Sequence, residues 1–463
     1  MERLRSLIKD MVRHDTTTRR GVRNEGPTIP LTDTLKKELE KPTISSFLDL
    51  DFYKLTMGQF IWENKELRDV PVTYEFKNRA KDVPLAKYIP QDVLEAQLTR
   101  IQNIRITNED IAYLKSIKGV NQNLFSDAYL NSLKSLNLPP VEVSQKDGQY
   151  NISVKGPWSQ AIYWETLILS TVNELYYRAL GQKSGRTFEK STNEGRLRLQ
   201  SKIKRLKGFI TEENAQGRKG PILIDFGTRR RFDGDWQEEV VKEMTYAFPN
   251  NFLGTSNVEL SRKLHIPAIG TTAHEMDMVF SGLYHKEDDK ERTFASHNKL
   301  LDMWYNFREY GKKLSIALTD TYGSDFFFDN FTQDQALKWN GIRQDSGDPS
   351  EFAEKAIKFY KEKGIDPTTK TLIFSDGLDI DSIMNLYKKF YGKINVVFAW
   401  GTTLTNDVGY RPLSLVIKAT HANGYELAKL SDTTGKETGT RESIKRAKRL
   451  SQYHGGINRK IVV

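Results

Sequence analysis

The strongest constraint on this chain is a repeated grammar. Short apolar runs end abruptly in glycine, hydroxyl and charged residues, and helix-sized segments separate one run from the next. The stretch from His265 to Glu275 sets the pattern: Ile266 to Ile269 stops at Gly270, and Thr271, Thr272, His274 and Glu275 follow. Leu223 and Ile224 lead into Asp225, Phe226, Gly227 and the cations Arg229, Arg230 and Arg231. Leu314 to Leu318 leads into Asp320 and Thr321, and Gly341–Ile342 into Arg343, Asp345 and Asp348. Leu372 to Phe374 leads into Ser375, Asp376 and Gly377, and Val396 to Phe398 into Trp400, Gly401, Thr402 and Thr403. A buried strand that ends in a polar site reads this way. Repeated strand–helix units imply a parallel sheet, either open or closed into a barrel. Polar groups at nearly every strand end favour a barrel, whose C-terminal rim carries the chemistry.

The unit after Arg343 is the clearest. Asp348 caps a helix with Pro349 at its first position, and Phe352, Ala356, Ile357 and Tyr360 form its apolar stripe. Upstream, Val72–Tyr74–Phe76 and Tyr150–Ile152–Val154 alternate with polar residues, so the first region mixes strands and helices. Trp158 to Leu180 is the longest apolar stretch, but Glu165, Asn173, Glu174 and Arg178 make it a buried amphipathic helix rather than a membrane span. Arg186 to Lys207 reads as a strongly basic, solvent-facing helix. Order is expected to begin near Phe47. The basic leader before it lacks the apolar core of a secretory signal, and Glu2, Asp10, Asp15 and Glu25 argue against a mitochondrial presequence.

The absence of cysteine excludes disulfides, thiolate metal sites and a cysteine nucleophile. The net charge of +10 suits nucleic acid, a membrane surface or a polyanionic small substrate, but no zinc finger or aromatic RNA-reading strand accompanies it. A solvated basic surface accounts for most of that charge, and an anionic substrate is the second reading.

His274 lacks a second histidine four residues on, so it is no zincin site; acid–base work or phosphoryl acceptance fits it better. Arg343 is suited to grip a carboxylate or phosphate in a bidentate fork, and Asp345 to bind ribose hydroxyls or magnesium. The bland alternative is a helix cap at Asp348 and one Arg–Asp pair. Asp320 and Asp376 extend the acidic edge, and carboxylates without cysteine favour magnesium over zinc. Gly401 and Thr402 suit a phosphate or a plain turn equally; Arg229–Arg231 suit a diphosphate or solvent.

Taken together, Leu48–Leu55, Phe226–Arg231, Leu253–Asn257, Ile269–Glu275, Ala317–Tyr322, Gly341–Pro349 and Gly401–Asp407 resemble the nicotinate phosphoribosyltransferase family, in order, across roughly residues 44–437. The resemblance implies an irregular α/β barrel of the type II phosphoribosyltransferase kind with a second α/β domain built from N- and C-terminal segments. The implied partition is a basic, partly ordered extension at 1–43, an N-terminal domain at 44–180 completed by roughly 405–437, a barrel at 181–404 and a basic tail at 438–463. The implied reaction moves phosphoribosyl from phosphoribosyl diphosphate (PRPP) to nicotinate on the salvage route to NAD, with magnesium as cofactor and ATP as co-substrate through a phosphorylated His274.

By the same resemblance Tyr53 and Phe226 sandwich the pyridine ring, with Arg343 and Thr271 near its carboxylate. Arg229 reaches the diphosphate, Asp320 and Asp345 face ribose, and Ser375, Gly377, Gly401 and Thr402 hold the 5-phosphate. A cytoplasmic homodimer is implied, with Tyr53 acting on a neighbour's site. Ser256 stands where the nicotinamide-using relative has an aspartate, and so favours the acid. Met276 and Trp400 depart from the family's usual residues. A nicotinamide enzyme and a catalytically silent ligand- or nucleic-acid-binding barrel are the competing readings.

Overall fold

The computed structural model describes residues 32–285 and 290–456, so most of the basic leader and the last residues of the tail lie outside the described residues. Its strands are β1 (Pro71–Asn78), β2 (Val141–Lys146), β3 (Gln149–Pro157), β4 (Ile222–Asp225), β5 (Phe252–Thr255), β6 (Ile316–Leu318), β7 (Gly341–Gln344), β8 (Thr371–Phe374), β9 (Asn395–Trp400), β10 (Leu415–Ala422) and β11 (Tyr425–Glu426). They form two sheets of opposite character.

The first sheet has the order β11-β10-β1-β3-β2 and is antiparallel throughout. On β1, Val72, Tyr74 and Phe76 are buried while Pro71, Glu75 and Lys77 are exposed, the alternation of a sheet with one face in the core. Its central neighbour β10 arrives from more than three hundred residues downstream, pairing Phe76 with Ile417.

The second sheet, β5-β4-β9-β8-β7-β6, is parallel. All four residues of β7 are buried, as expected of strands covered on both faces. Beyond β5 the sheet continues only as a single parallel bridge, Thr255 to Ala268. The expected strand at Ile266–Ile269 is therefore corrected to a half-exposed connector. His265 turns left-handed (φ 52°) and Pro267 brings no N–H to a ladder. Gly254 makes this close approach: its φ is +150°, and a Cβ there would sit 2.2 Å from the Pro267 carbonyl oxygen. Among the described residues no ladder joins this connector to β6; a side-chain bond from His274 Nδ1 to Thr321 Oγ1, 3.1 Å, spans the gap. The barrel is irregular, and His274 sits at its seam.

Helices surround both sheets. Trp164–Ser184 is buried on every side from Trp164 to Tyr177, so the amphipathic reading of this stretch is too polar; Glu165 and Glu174 are inside and ion-paired. The stretch also breaks, with a separate short helix at Trp158–Ala161. Regular structure is already present upstream of Phe47. Thr32 caps a helix at Asp33–Glu40, whose Leu35 and Leu39 are fully buried. The basic helix spans Phe188–Ala215 and is not wholly solvent-facing, because Leu199, Leu206, Phe209 and Ile210 are buried. Past β11 the chain forms a strap across the barrel mouth, where Leu430 N–H donates to the Thr321 carbonyl at 2.7 Å and Gly347 N–H to Thr433 Oγ1 at 3.1 Å. A final helix, Arg441–Leu450, follows in what was read as an unassigned tail. Among the described residues no helix is long and apolar enough to cross a membrane.

Candidate active site

The strand ends converge as their sequence grammar implies. Phe226 and Arg229 follow β4, Arg343 and Asp345 lie at the end of β7, Ser375 and Gly377 follow β8, and Gly401 and Thr402 follow β9. All of them line one cavity with Tyr53 and His274. Tyr53 is placed there by the helix Phe52–Glu63, and its hydroxyl donates to Asp51 Oδ2 at 3.1 Å. Its ring lines the cavity of its own chain.

At the floor, His274 Nε2 lies 3.0 Å from Asp345 Oδ2 and 3.8 Å from Asp320 Oδ1. Arg343 bonds Thr271 Oγ1 and the Thr272 carbonyl, and its Nη2 lies 3.7 Å from Asp345. Burial, reinforced by the Lys429 ammonium, pushes the His274 ring down to about 4, so it is neutral at pH 7. Burial alone would raise Asp345, but the Arg343 guanidinium and His274 override it and hold the carboxylate well below its ordinary range. Asp320 is held low in the same way by Lys429, 2.8 Å away.

His274, Asp320 and Asp345 each offer a ligand atom within 4.8 Å of the others. Asp320 Oδ1 is buried and makes no hydrogen bond. Two carboxylates, one with an orphaned oxygen, beside an open anion cavity fit a magnesium ion that keeps its remaining positions for water and phosphate.

Three expected residues are placed differently. Ser256 is buried behind the cavity and donates to Asp51 Oδ1 at 2.7 Å. Thr271 is buried beneath Arg343, and Asp320 lies under Lys429 and Ser346 rather than at the surface of the cavity. Glu275 does not touch its neighbour His274: it turns to Lys54, Tyr74 and Trp158, as successive helical residues point apart. Asp348 is the helix cap, accepting from Ser350 and Glu351 amides.

The cationic rim is the part that sequence reading missed. Arg79, Lys418, Lys429 and Lys436 join Arg229, Arg230 and Arg343 around the cavity, whose lining carboxylates are Asp345 and Asp376; behind it Lys418 pairs with Glu165 and Arg229 with Asp51. Burial and the neighbouring Arg229 and Arg79 push Arg230 down to about 10, so an anion placed there would relieve like-charge repulsion. Lys418 shares one face of β10 with Val416, a period-two signal that was present in the sequence. Nothing local marks Arg79, Lys429 or Lys436.

A barrel whose strand ends hold a neutral histidine, paired carboxylates and a rim of cations belongs to the class of α/β enzymes that handle small phosphorylated anions. The family model of the nicotinate phosphoribosyltransferase (NAPRTase) family matches residues 222–454, and that of its N-terminal domain residues 48–173. Relatives named nicotinate phosphoribosyltransferase from Chromobacterium violaceum and Neisseria gonorrhoeae are each 41% identical, covering 85% of this chain and 93% of theirs. Among solved structures, a nicotinate phosphoribosyltransferase from Vibrio cholerae superposes with a TM-score of 0.76 at 30% identity, over 90% of this chain and 95% of that one. The chain belongs to the nicotinate phosphoribosyltransferase family.

Proposed function

We propose that the protein transfers phosphoribosyl from PRPP to the ring nitrogen of nicotinate, releasing diphosphate, with ATP hydrolysis coupled through His274 on the salvage route to NAD. The observation that carries this reading is the meeting of His274, Asp345 and Arg343 at the floor of a cavity rimmed by cations. Tyr53 and Phe226 enclose the ring, and Arg343, braced by Thr271, faces its carboxylate. Arg229 and the lysines of the strap hold diphosphate, while Ser375, Gly377, Gly401 and Thr402 hold the 5-phosphate.

As the C1–oxygen bond to diphosphate breaks and the ring nitrogen bonds C1, positive charge develops on the ribose, and the Asp345 carboxylate stabilises it. Asp320 and Asp345 would hold magnesium, which when bound neutralises the leaving diphosphate. The neutral ring of His274 keeps one unprotonated nitrogen, whose lone pair accepts a phosphoryl group once its present hydrogen bond is exchanged: the N–P bond forms, the bond to the β-phosphate oxygen breaks and ADP leaves. Water later cleaves the N–P bond. A cytoplasmic homodimer is the proposed form, and light scattering in solution tests its mass.

The first experiment measures product from nicotinate, PRPP and magnesium, with and without ATP, for the wild type and His274→Ala. Nicotinate mononucleotide with ATP stimulation that vanishes in the variant is the expected result; no product under any condition overturns the reading. Nicotinamide belongs in the same panel for a specific reason. Ser256 is not itself a carboxylate, but Asp51 stands against it and beside Tyr53, with Arg229 pairing that charge at 3.3 Å.

A further inference from the structure

Two features of this chain find no role in the reaction as described: the basic helix Phe188–Ala215, and Trp400 at the end of β9. They meet. Trp400 is fully buried, and its indole N–H donates to Thr403 Oγ1 at 2.5 Å. Thr403 Oγ1 in turn donates to the Leu378 carbonyl. The turn after β9 is thereby tied to the turn after β8. Lys202, from the basic helix, lies 5.7 Å from the Trp400 ring centroid, donates to the Thr403 carbonyl and pairs with Asp407 Oδ2 at 2.7 Å.

The rest of the helix reinforces this contact. Arg198 reaches Asp407 Oδ1 at 2.9 Å, and Arg186, in the link just before the helix, donates to the Val408 carbonyl at 2.7 Å. Gly195 lets the helix lie close, since a Cβ there would meet Val408 and Trp236 side chains at 2.9 and 2.7 Å. Lys202 and Arg198 both direct their charge to Asp407 in the segment from Thr403 to Val408, although Arg198 stays 46% exposed. Lys202 is only 13% exposed, and burying an ammonium is costly unless its bonds matter to the fold it holds.

We propose that Lys202 and Trp400 are positioning residues that fix the turn at Gly401–Thr403 against the turn at Gly377–Leu378, and so set the affinity for the 5-phosphate of the donor. Neither residue reaches the ligand. Lys202 anchors the Thr403 carbonyl from outside the cavity, and Trp400 holds the spacing of the two turns through Thr403. The inference rests on the reading that these two turns grip that phosphate. A phosphate held by backbone amides is sensitive to sub-ångström changes in their spacing.

The test uses the full chain with Lys202→Met, which keeps the stem and removes the charge, and Trp400→Phe, which keeps the ring and removes the donor. Steady-state kinetics are combined with inhibition by ribose 5-phosphate and by diphosphate. The loss of one hydrogen bond that holds the turn predicts a rise of about tenfold in KM for PRPP and in Ki for ribose 5-phosphate, with kcat, KM for nicotinate and Ki for diphosphate within about twofold. A parallel rise in both inhibition constants, or unchanged values in both variants, overturns the proposal. Should Lys202→Met fail to fold, Trp400→Phe decides alone. If ribose 5-phosphate does not inhibit the wild type while diphosphate does, the assignment of the two turns is what fails.

Discussion

Asp225 shows what a strand-end residue must satisfy before it can do anything else. It is fully buried and accepts from Thr255 Oγ1 at 2.6 Å, Gly227 N–H at 2.8 Å and Gln237 Nε2 at 2.8 Å, so it shapes the turn that presents Phe226 and Arg229. Burial nonetheless pushes its carboxyl up to about 6. A carboxyl raised in the folded state contributes stability that is full below the unfolded value near 3.8 and is lost as pH rises through 6. Relative to Asp225→Asn, the wild type should therefore lose about 2 kcal/mol between pH 4 and pH 7, read from urea midpoints at each pH. At the same scale, Arg343→Ala should raise KM for nicotinate by about 100-fold, because the buried guanidinium offers a fork that no neighbour replaces. A KM within twofold of wild type would place the carboxylate elsewhere.

Among the elements, those with strong local signals were legible. The helix Pro349–Glu362 follows from Asp348, Pro349 and its apolar stripe, and β8 and β9 follow from continuous apolar runs. The connector at Ile266–Ile269 was not, because an apolar run of four residues looks the same whether it is paired or merely leans on the sheet. The helix Asp33–Glu40 was hidden by its charge: only Leu35 and Leu39 carry its docking, and two leucines four apart are a faint pattern. Their burial is complete, so Leu39→Ala should cost about 2–5 kcal/mol in thermal or denaturant unfolding. A cost under about 0.5 kcal/mol would mean that this helix does not hold to the rest of the chain in solution.

At the scale of the whole molecule, the strap after β11 joins the two sheets at the site. Lys429 on the strap and Asp320 after β6 are both buried and paired at 2.8 Å. Removing one partner of such a pair leaves a charge uncompensated, so Lys429→Met should destabilise the protein by about 3–5 kcal/mol. Adding Asp320→Asn should recover most of that stability while turnover stays low, because the carboxylate facing His274 and a cation of the diphosphate rim are both gone. Recovery of both stability and activity in the double variant would remove Asp320 from the chemistry. Chemical denaturation and product formation on the same four proteins provide the cycle.

The sequence by itself determined which residues could stand at strand ends, since an apolar run that stops in glycine, hydroxyl and charge has few other uses. His274, Arg343, Asp345, Arg229 and the turns at Gly377 and Gly401 were legible for that reason, and the order of their motifs carried the family resemblance. Only the tertiary structure decided what surrounds them. The cations Arg79, Lys418, Lys429 and Lys436 come from the turn after β1, from β10 and from the strap, distant segments that a local pattern cannot bring to one cavity. The same is true of Ser256, which its motif aimed at the ring and the packing of Asp51 withdrew behind it. Local periodicity fixes which face a residue takes; which other face it meets depends on long-range pairing, and that is settled only when β10 returns to β1 and closes the site.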